Sequence, residues 1–183
     1  LFQDIPARRE FLGSERSELN RIQTLVSGYI LAYPHLTLSF TSERRLIMQS
    51  LGHGSLIDAA TTVYGAEIAD DLLTIHDVSE ALKVEGLISP PALSRSTRSF
   101  ISISVNGRPI HNRNLTHAIT EAYRSLLPGG RFPIVIARIS VDPKDVDVNV
   151  HPAKTEVRFK HERILYGILQ RMVRRVLLSE SPI

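Results

Sequence analysis

The sequence predicts an α+β protein, an α/β sandwich whose mixed sheet carries helices mainly on one face. Three observations lead there. Ile134, Val135, Ile136 and Ala137 form an almost unbroken apolar run, the composition of a strand buried on both sides. Two segments, one carrying Leu115, Ile119 and Ala122 and the other Leu165, Ile168, Met172 and Val176, repeat their apolar residues at helical spacing. Val146, Val148 and Val150 alternate with Asp145, Asp147 and Asn149, the period-two pattern of an extended segment with one buried face.

The elements follow in order. Ser14 before Glu15 and Glu18 is a helix cap with acidic residues in the first turn, and Leu19, Ile22, Val26 and Tyr29 give that helix a stripe as far as Ala32. Leu36, Leu38 and Phe40 alternate, and residues 45–49 can return as a hairpin partner. L-G-H-G at 51–54 is the best candidate boundary, dividing the chain into 1–50 and 51–183. A short helix over 56–64 ends at Gly65. Strands are expected over 72–76, 82–88 and 100–105, with the proline- and serine-rich stretch 90–96 as a loop and the least ordered segment. The helix led by Leu115 continues through Leu126 until Pro128, Gly129 and Gly130 stop it, and a last helix covers 162–178. No internal repeat or heptad register is present.

The 183 residues suffice for one good core, or one domain and part of another, and 43% hydrophobic with 22% charged content is ordinary for a soluble globular chain. No stretch approaches the roughly 20 apolar residues that span a bilayer, so no membrane partner is expected. The first residues carry neither a methionine nor a signal-peptide layout, and the chain reads as starting inside a longer protein. The absence of cysteine excludes disulfides, thiolate catalysis and cysteine-based zinc sites. The seven histidines lack ligand spacing, and no metal site is expected. Net charge is only +3, yet of the 22 cationic residues only Lys83, Lys144, Lys154 and Lys160 are lysines. The arginine excess suits bidentate phosphate contact, although a coding bias gives the same composition.

The chemistry concentrates at D-V-N-V-H-P-A-K-T-E-V-R-F, residues 147–159. Pro152 removes a backbone donor and ends any regular ladder, so Lys154 stands just past a rigid turn as a single cationic probe, with alternation resuming at Val157 and Phe159. His151 can orient that loop, and a surface or capping histidine is an equal alternative. From the residues alone, an edge strand, a turn and a solvated lysine are the favoured description of the segment. Arg108 and Arg113 bracket the start of the helix near Asn112, after the Asn106-Gly107 turn, where oriented N–H groups attract phosphate. Two solvated arginines beside a turn are the plain alternative. Asp70 and Asp71 are read as flanking a turn. There is no G-x-x-x-x-G-K-[ST] loop and no G-x-S-x-G elbow, so self-contained hydrolysis has no evident apparatus.

Three motifs, L-F-Q-D-I-P-A-R-R-E-F-L at the start, V-N-G-R-P-I-H-N-R in the middle and V-D-V-N-V-H-P-A-K-x-E-V-R-F near the end, resemble the MutL family of DNA mismatch-repair ATPases. The resemblance covers nearly the whole chain, most weakly over 51–95. Asp4 stands where the family usually has asparagine, which keeps an acceptor but loses a donor and adds charge. The family belongs to the GHKL group of ATPases, and the resemblance implies that residues 1–50 are the final helix and strands of the ATPase domain. Residues from 51 onward would then form a transducer domain with the second-domain fold of a small-subunit ribosomal protein, including a left-handed βαβ crossover.

By the same resemblance Lys154 is the transducer lysine that reaches the ATP γ-phosphate, with His151 beside it, while the catalytic glutamate and the metal-binding asparagine lie N-terminal to this chain. ATP and Mg are therefore expected in the intact protein, an ATP hydrolase, and neither bound ligand nor turnover is expected of this stretch alone. Arg113 matches a position associated with a DNA-binding groove, which Arg108, Arg8 and Arg9 would extend. The implied partners are DNA, MutS, a downstream nuclease or helicase and a second copy of the intact protein. P-A-R-R-E-F-L looks closer to bacterial members, which implies the cytoplasm. Two other readings stay open: a non-catalytic nucleic-acid-binding module, and the transducer of a gyrase-like topoisomerase, against which Pro152 and Ala153 before the lysine argue.

Overall fold

The chain is described here from a computed structural model that covers residues 12–78, 82–148 and 156–180. Lys154, His151, Arg8, Arg9 and Asp4 lie outside the described residues. The elements run α1 (Glu15–Ala32), β1 (Ser39–Ser42), β2 (Arg45–Gln49), α2 (Leu56–Tyr64), α3 (Ala66–Ala69), β3 (Leu73–Val78) and β4 (Leu82–Ile88). There follow β5 (Ser94–Arg95), β6 (Ile101–Val105), β7 (Arg108–Ile110), α4 (Arg113–Ala122), β8 (Phe132–Pro133), β9 (Val135–Val141), β10 (Val146–Asp147), β11 (Arg158–Phe159) and α5 (Glu162–Glu180).

The main sheet has five strands in the order β3-β4-β9-β6-β7. β9 lies between antiparallel β4 and parallel β6, so the sheet is mixed, as its class requires. The apolar run made β9 interior because both of its faces are covered. Val135, Ala137 and Ile139 enter one core cluster, with Leu115 and Ile119 of α4 and Leu165, Leu169 and Met172 of α5. Ile134 and Ile136 enter the other, with Ile30 and Leu31 of α1, Ala59 and Ala60 of α2 and Ala69 of α3. Each large aliphatic side chain so buried contributes roughly 1.5–3 kcal/mol.

The first face is covered along its length by α4 and α5, whereas helices reach only part of the second. Beyond Ile136 the second face turns polar: Glu85 accepts from Arg138 Nη1 at 2.7 Å and pairs with Lys83 Nζ at 2.6 Å. The Lys83 hydrogen bond, with the positive charge of Arg138, holds the Glu85 carboxyl below the usual carboxylate range.

Several expectations are met closely. Ser14 caps α1 by accepting from Ser17 N, and Gly65, at φ 91°, closes α2. β1 and β2 form the hairpin, with Glu43 and Arg44 both at positive φ in a two-residue turn. Others need correction. The α1 stripe is not a buried face: Ile22 and Tyr29 are exposed, as is Leu25, and burial sets in only at Ile30, Leu31 and Ala32.

The 90–96 stretch is tied down. β5 within it pairs with β8, and Arg131 donates from Nη2 to the Ser94 carbonyl. Ser89 N donates to Ile134 O at 2.8 Å, its Oγ accepts from Ile134 N at 3.0 Å, and its carbonyl accepts from Tyr123 Oη at 2.5 Å. That phenol is pushed upward in pKa by burial, so it stays a neutral donor. α4 ends at Ala122 rather than near Leu126, because Ser125 takes φ 67° and Tyr123 turns inward.

β4 and β9 pair so closely at Gly86 that an added Cβ would sit 1.9 Å from the Ile136 carbonyl oxygen. Neither partner can yield, since both strands are interior to the sheet. Gly86→Ala is therefore expected to cost about 3 kcal/mol or more. A denaturation midpoint within error of wild type would show that the strands part at no cost.

Candidate nucleic-acid interface

The site is built from the β6–β7 hairpin and the helix that follows. Asn106 and Gly107 take φ 48° and 79°, the pair of left-handed residues that a tight hairpin turn requires. The turn is spliced to the end of β9: Asn106 N donates to Ile139 O at 2.8 Å, its Nδ2 to Val141 O at 3.0 Å, and its Oδ1 accepts from Val141 N at 2.9 Å. A Cβ on Gly107 would strike the Tyr33 ring, so only glycine lets the turn rest against the end of α1. The short strand β7 then delivers the chain to Asn112.

Asn112 does two things at once. Its Oδ1 accepts from Leu115 N at 2.9 Å, capping α4, and its Nδ2 donates at 3.1 Å to Glu162 Oε1 in the first turn of α5. Further along, His117 Nδ1 lies 2.8 Å from Tyr166 Oη, and Arg174 Nη1 donates to Ala122 O at 3.1 Å. Contacts running in this order make α4 and α5 parallel. Both N-termini therefore open at the same edge of the sheet, where their exposed N–H groups and dipoles add a positive potential.

Arg113, exposed in the first turn of α4, lines a cleft of about 660 Å³ whose wall also includes Arg98, Ile101, His111, His117 and Glu156. Arg98 is steadied by stacking 4.8 Å over the Phe132 ring. Arg163, in the first turn of α5, lines a smaller neighbouring cleft with Asn114 and Tyr166. This arrangement can hold anions by charge-assisted hydrogen bonds.

Of the residues singled out from sequence, Arg113 lies in the cleft. Arg108, half-buried, pairs opposite Val105 beside the turn at the far end of β7, five residues or roughly 16 Å of extended chain from Arg113. Arg98 and Arg163 were missed, and the only sequence signal for them was their charge. Lys154 and His151 fall in the 149–155 segment, but the feet of that segment are placed. β10 pairs with β11, Val146 opposite Phe159 and Asp147 opposite Arg158, and Val157 is buried. Glu156, at one foot, already lines the Arg113 cleft. Among the described residues no group of acidic or histidine side chains has the arrangement to hold a metal ion, and no helix is long and apolar enough to cross a membrane.

This fold is shared with solved domains of DNA repair proteins. A solved "N terminal domain of a DNA repair protein" superposes with TM-score 0.81 and 21% identity, over 98% of this chain and 60% of that one. The Aquifex aeolicus MutL ATPase domain complexed with ADP superposes with TM-score 0.63 and 19% identity, over 100% of this chain and 57% of that one. In sequence, residues 60–178 match the family described as DNA mismatch repair protein, C-terminal domain. DNA mismatch repair protein MutL of Macrococcus caseolyticus is 36% identical over 183 residues, which is 100% of this chain and 29% of that protein. The chain belongs to the MutL family of DNA mismatch-repair proteins. It spans less than a third of the length of that relative.

The double role of Asn112 has a measurable consequence. Asn112→Ala removes the cap and the link to Glu162 and is expected to cost about 1–2 kcal/mol. Asn112→Asp keeps the cap but sets a carboxylate against Glu162, so it should recover only part of the loss. Thermal unfolding of both variants checks this; equal stability of the alanine variant and wild type would mean that the helix starts are held elsewhere.

Proposed function

We propose that the chain is the part of a MutL-type mismatch-repair ATPase that binds the DNA backbone and carries the γ-phosphate-sensing lysine. One observation carries the reading: the parallel start of α4 and α5 gathers Arg113, Arg98 and Arg163 at one edge, next to the foot of the 149–155 segment. Backbone phosphates are the fitting ligand for guanidinium groups at helix N-termini, and such contacts position DNA without reading its sequence. Arg108, Arg8 and Arg9 extend the same basic surface in this proposal.

Residues 1–50 are proposed to complete an ATPase domain and 51–183 to form the transducer. Support comes from the exposed apolar side chains of the first part, Ile22, Leu25, Tyr29 and Leu46, which suit a further packed layer. ATP with Mg would supply the transferable phosphoryl group in the intact protein. Lys154, with His151 beside it, would hold a positive charge at the terminal phosphate, while the adenine pocket and hydrolytic base come from elsewhere in that protein. Mismatch signalling through MutS to a nuclease or helicase, dimerisation and a bacterial cytoplasmic setting belong to the same proposal. It is supported by the family membership and by the ADP complex of the Aquifex aeolicus relative.

In the intact protein, Lys154→Ala should slow ATP hydrolysis by roughly 100-fold, on the order of 3 kcal/mol of transition-state stabilisation, while nucleotide binding falls much less. Steady-state turnover beside an equilibrium nucleotide titration separates the two effects. Unchanged turnover would remove the sensing role and leave a plain nucleic-acid-binding module.

For DNA, Arg113→Ala should lower the slope of log affinity against log salt by about one unit, whatever the base sequence. Arg113→Glu should weaken binding further through repulsion. Wild-type affinity and slope in both variants would place the DNA-binding surface elsewhere.

A further inference from the structure

The opposite end of the same helix pair carries a second basic surface. Where α4 ends, a cleft of about 850 Å³ is lined by Arg124, Arg171, Arg174 and Arg175, with Glu121 as the one carboxylate and Leu178 as the one large apolar side chain. The four arginines do not serve one purpose. Arg174 is structural: its Nη1 donates to the carbonyls of Ala122 and Arg124, both at 3.1 Å, satisfying the open end of α4 and placing a cation against its negative pole.

The others face solvent. Arg124 makes a contact of 3.3 Å with Glu121, Arg175 reaches Asp77 only at 3.9 Å, and the Arg171 side chain lies along its own helix over Gly167. Exposed pairs of this kind contribute little to stability, so these cations are not there to hold the fold.

We propose that this cleft is a second phosphate-binding surface, occupied by the backbone of the same DNA duplex that the Arg113 end engages. The inference rests on the DNA-binding reading above and adds a site to it. Three features select this ligand. The lining holds several guanidinium groups against one carboxylate and no aromatic ring, which suits phosphates and not the stacking of single-stranded bases. The two ends belong to one helix pair, because α4 and α5 run parallel and are bonded through Glu162 at one end and Arg174 at the other. The span also fits: the 11 steps from Arg113 to Arg124, along α4 and its turn, cover roughly 16 Å at 1.5 Å per step, about five base pairs at 3.4 Å each. A duplex lying along the helix pair would meet both ends within half a helical turn.

The test is a salt titration of binding to a fluorescent duplex of about 20 base pairs by the intact protein, the Arg171→Ala/Arg175→Ala variant, Arg113→Ala and the triple variant. Arg174 is left in place because its loss would unravel α4. The double variant should melt with wild type, bind roughly fivefold to tenfold more weakly near 0.1 M salt, and lose between one and two units of salt slope. Arg171→Lys/Arg175→Lys should keep most of the slope.

Loss in the double variant with none in Arg113→Ala would sustain this site while removing the first one; the reverse would overturn this site alone. A polyglutamate peptide is titrated in parallel. If the double variant binds duplex as wild type does, or loses only the peptide, the surface does not serve DNA and the proposal fails.

Discussion

Everything at the functional edge depends on where two helices begin. An α-helix leaves its first N–H groups unpaired, and Asn112 answers that need for α4 while reaching across to the first turn of α5. One short side chain thereby sets the helices side by side and in the same sense. Parallel helices lying side by side set like poles next to each other and repel, so the arrangement has to be maintained by packing. Leu115, Ile119, Leu165, Leu169 and Met172 do this against the sheet, and all five are buried. What the protein obtains is a single edge at which two positive poles and several arginines coincide.

The sheet beneath explains why that edge stays put. β9 feeds alternate side chains into two separate cores, so shifting it by one residue would exchange their contents. Asn106 locks the β6–β7 turn onto the end of β9 with three hydrogen bonds, and Gly107 lets the turn seat against Tyr33 at the end of α1. The path from β9 to Arg113 is therefore short and tied at each step. A cation held on such a path can meet a phosphate with little loss of side-chain freedom beyond its own.

Much of the fold was legible because local signals agreed with the tertiary outcome. Ser14, Gly65, the Ile134–Ile136 run and the Asn106-Gly107 pair each state a local conformation that the packing then uses. The failures have a common cause. The α1 stripe is as apolar as a buried one, yet nothing among the described residues covers Ile22 and Leu25. The early end of α4 follows from Ser125 at positive φ and Tyr123 turning into the core, and Arg174, far along the chain, takes the Ala122 carbonyl left open there. Arg163 reaches this edge through the contact of Asn112 with Glu162, fifty residues apart, and Arg98 through its stacking on Phe132. Arg113 was singled out by its motif, and the structure sets it in the wall of a cleft. Its charge alone would not have distinguished it from the many other arginines.

β11 ends at Phe159 and α5 begins at Glu162, with Lys160 N donating to Asp145 O in the short link between them. There is almost no slack in that join. α5 is in turn bonded to α4 near both of its ends, through Glu162 and through Arg174. Mechanically the two helices make one stiff rod, about 28 Å long by the rise of its 19-residue member, whose near end is fastened to the foot of the 149–155 segment. A load on that foot would reach the helix pair through a link of only two residues, and the two helices, bonded at separate places, would move with it together.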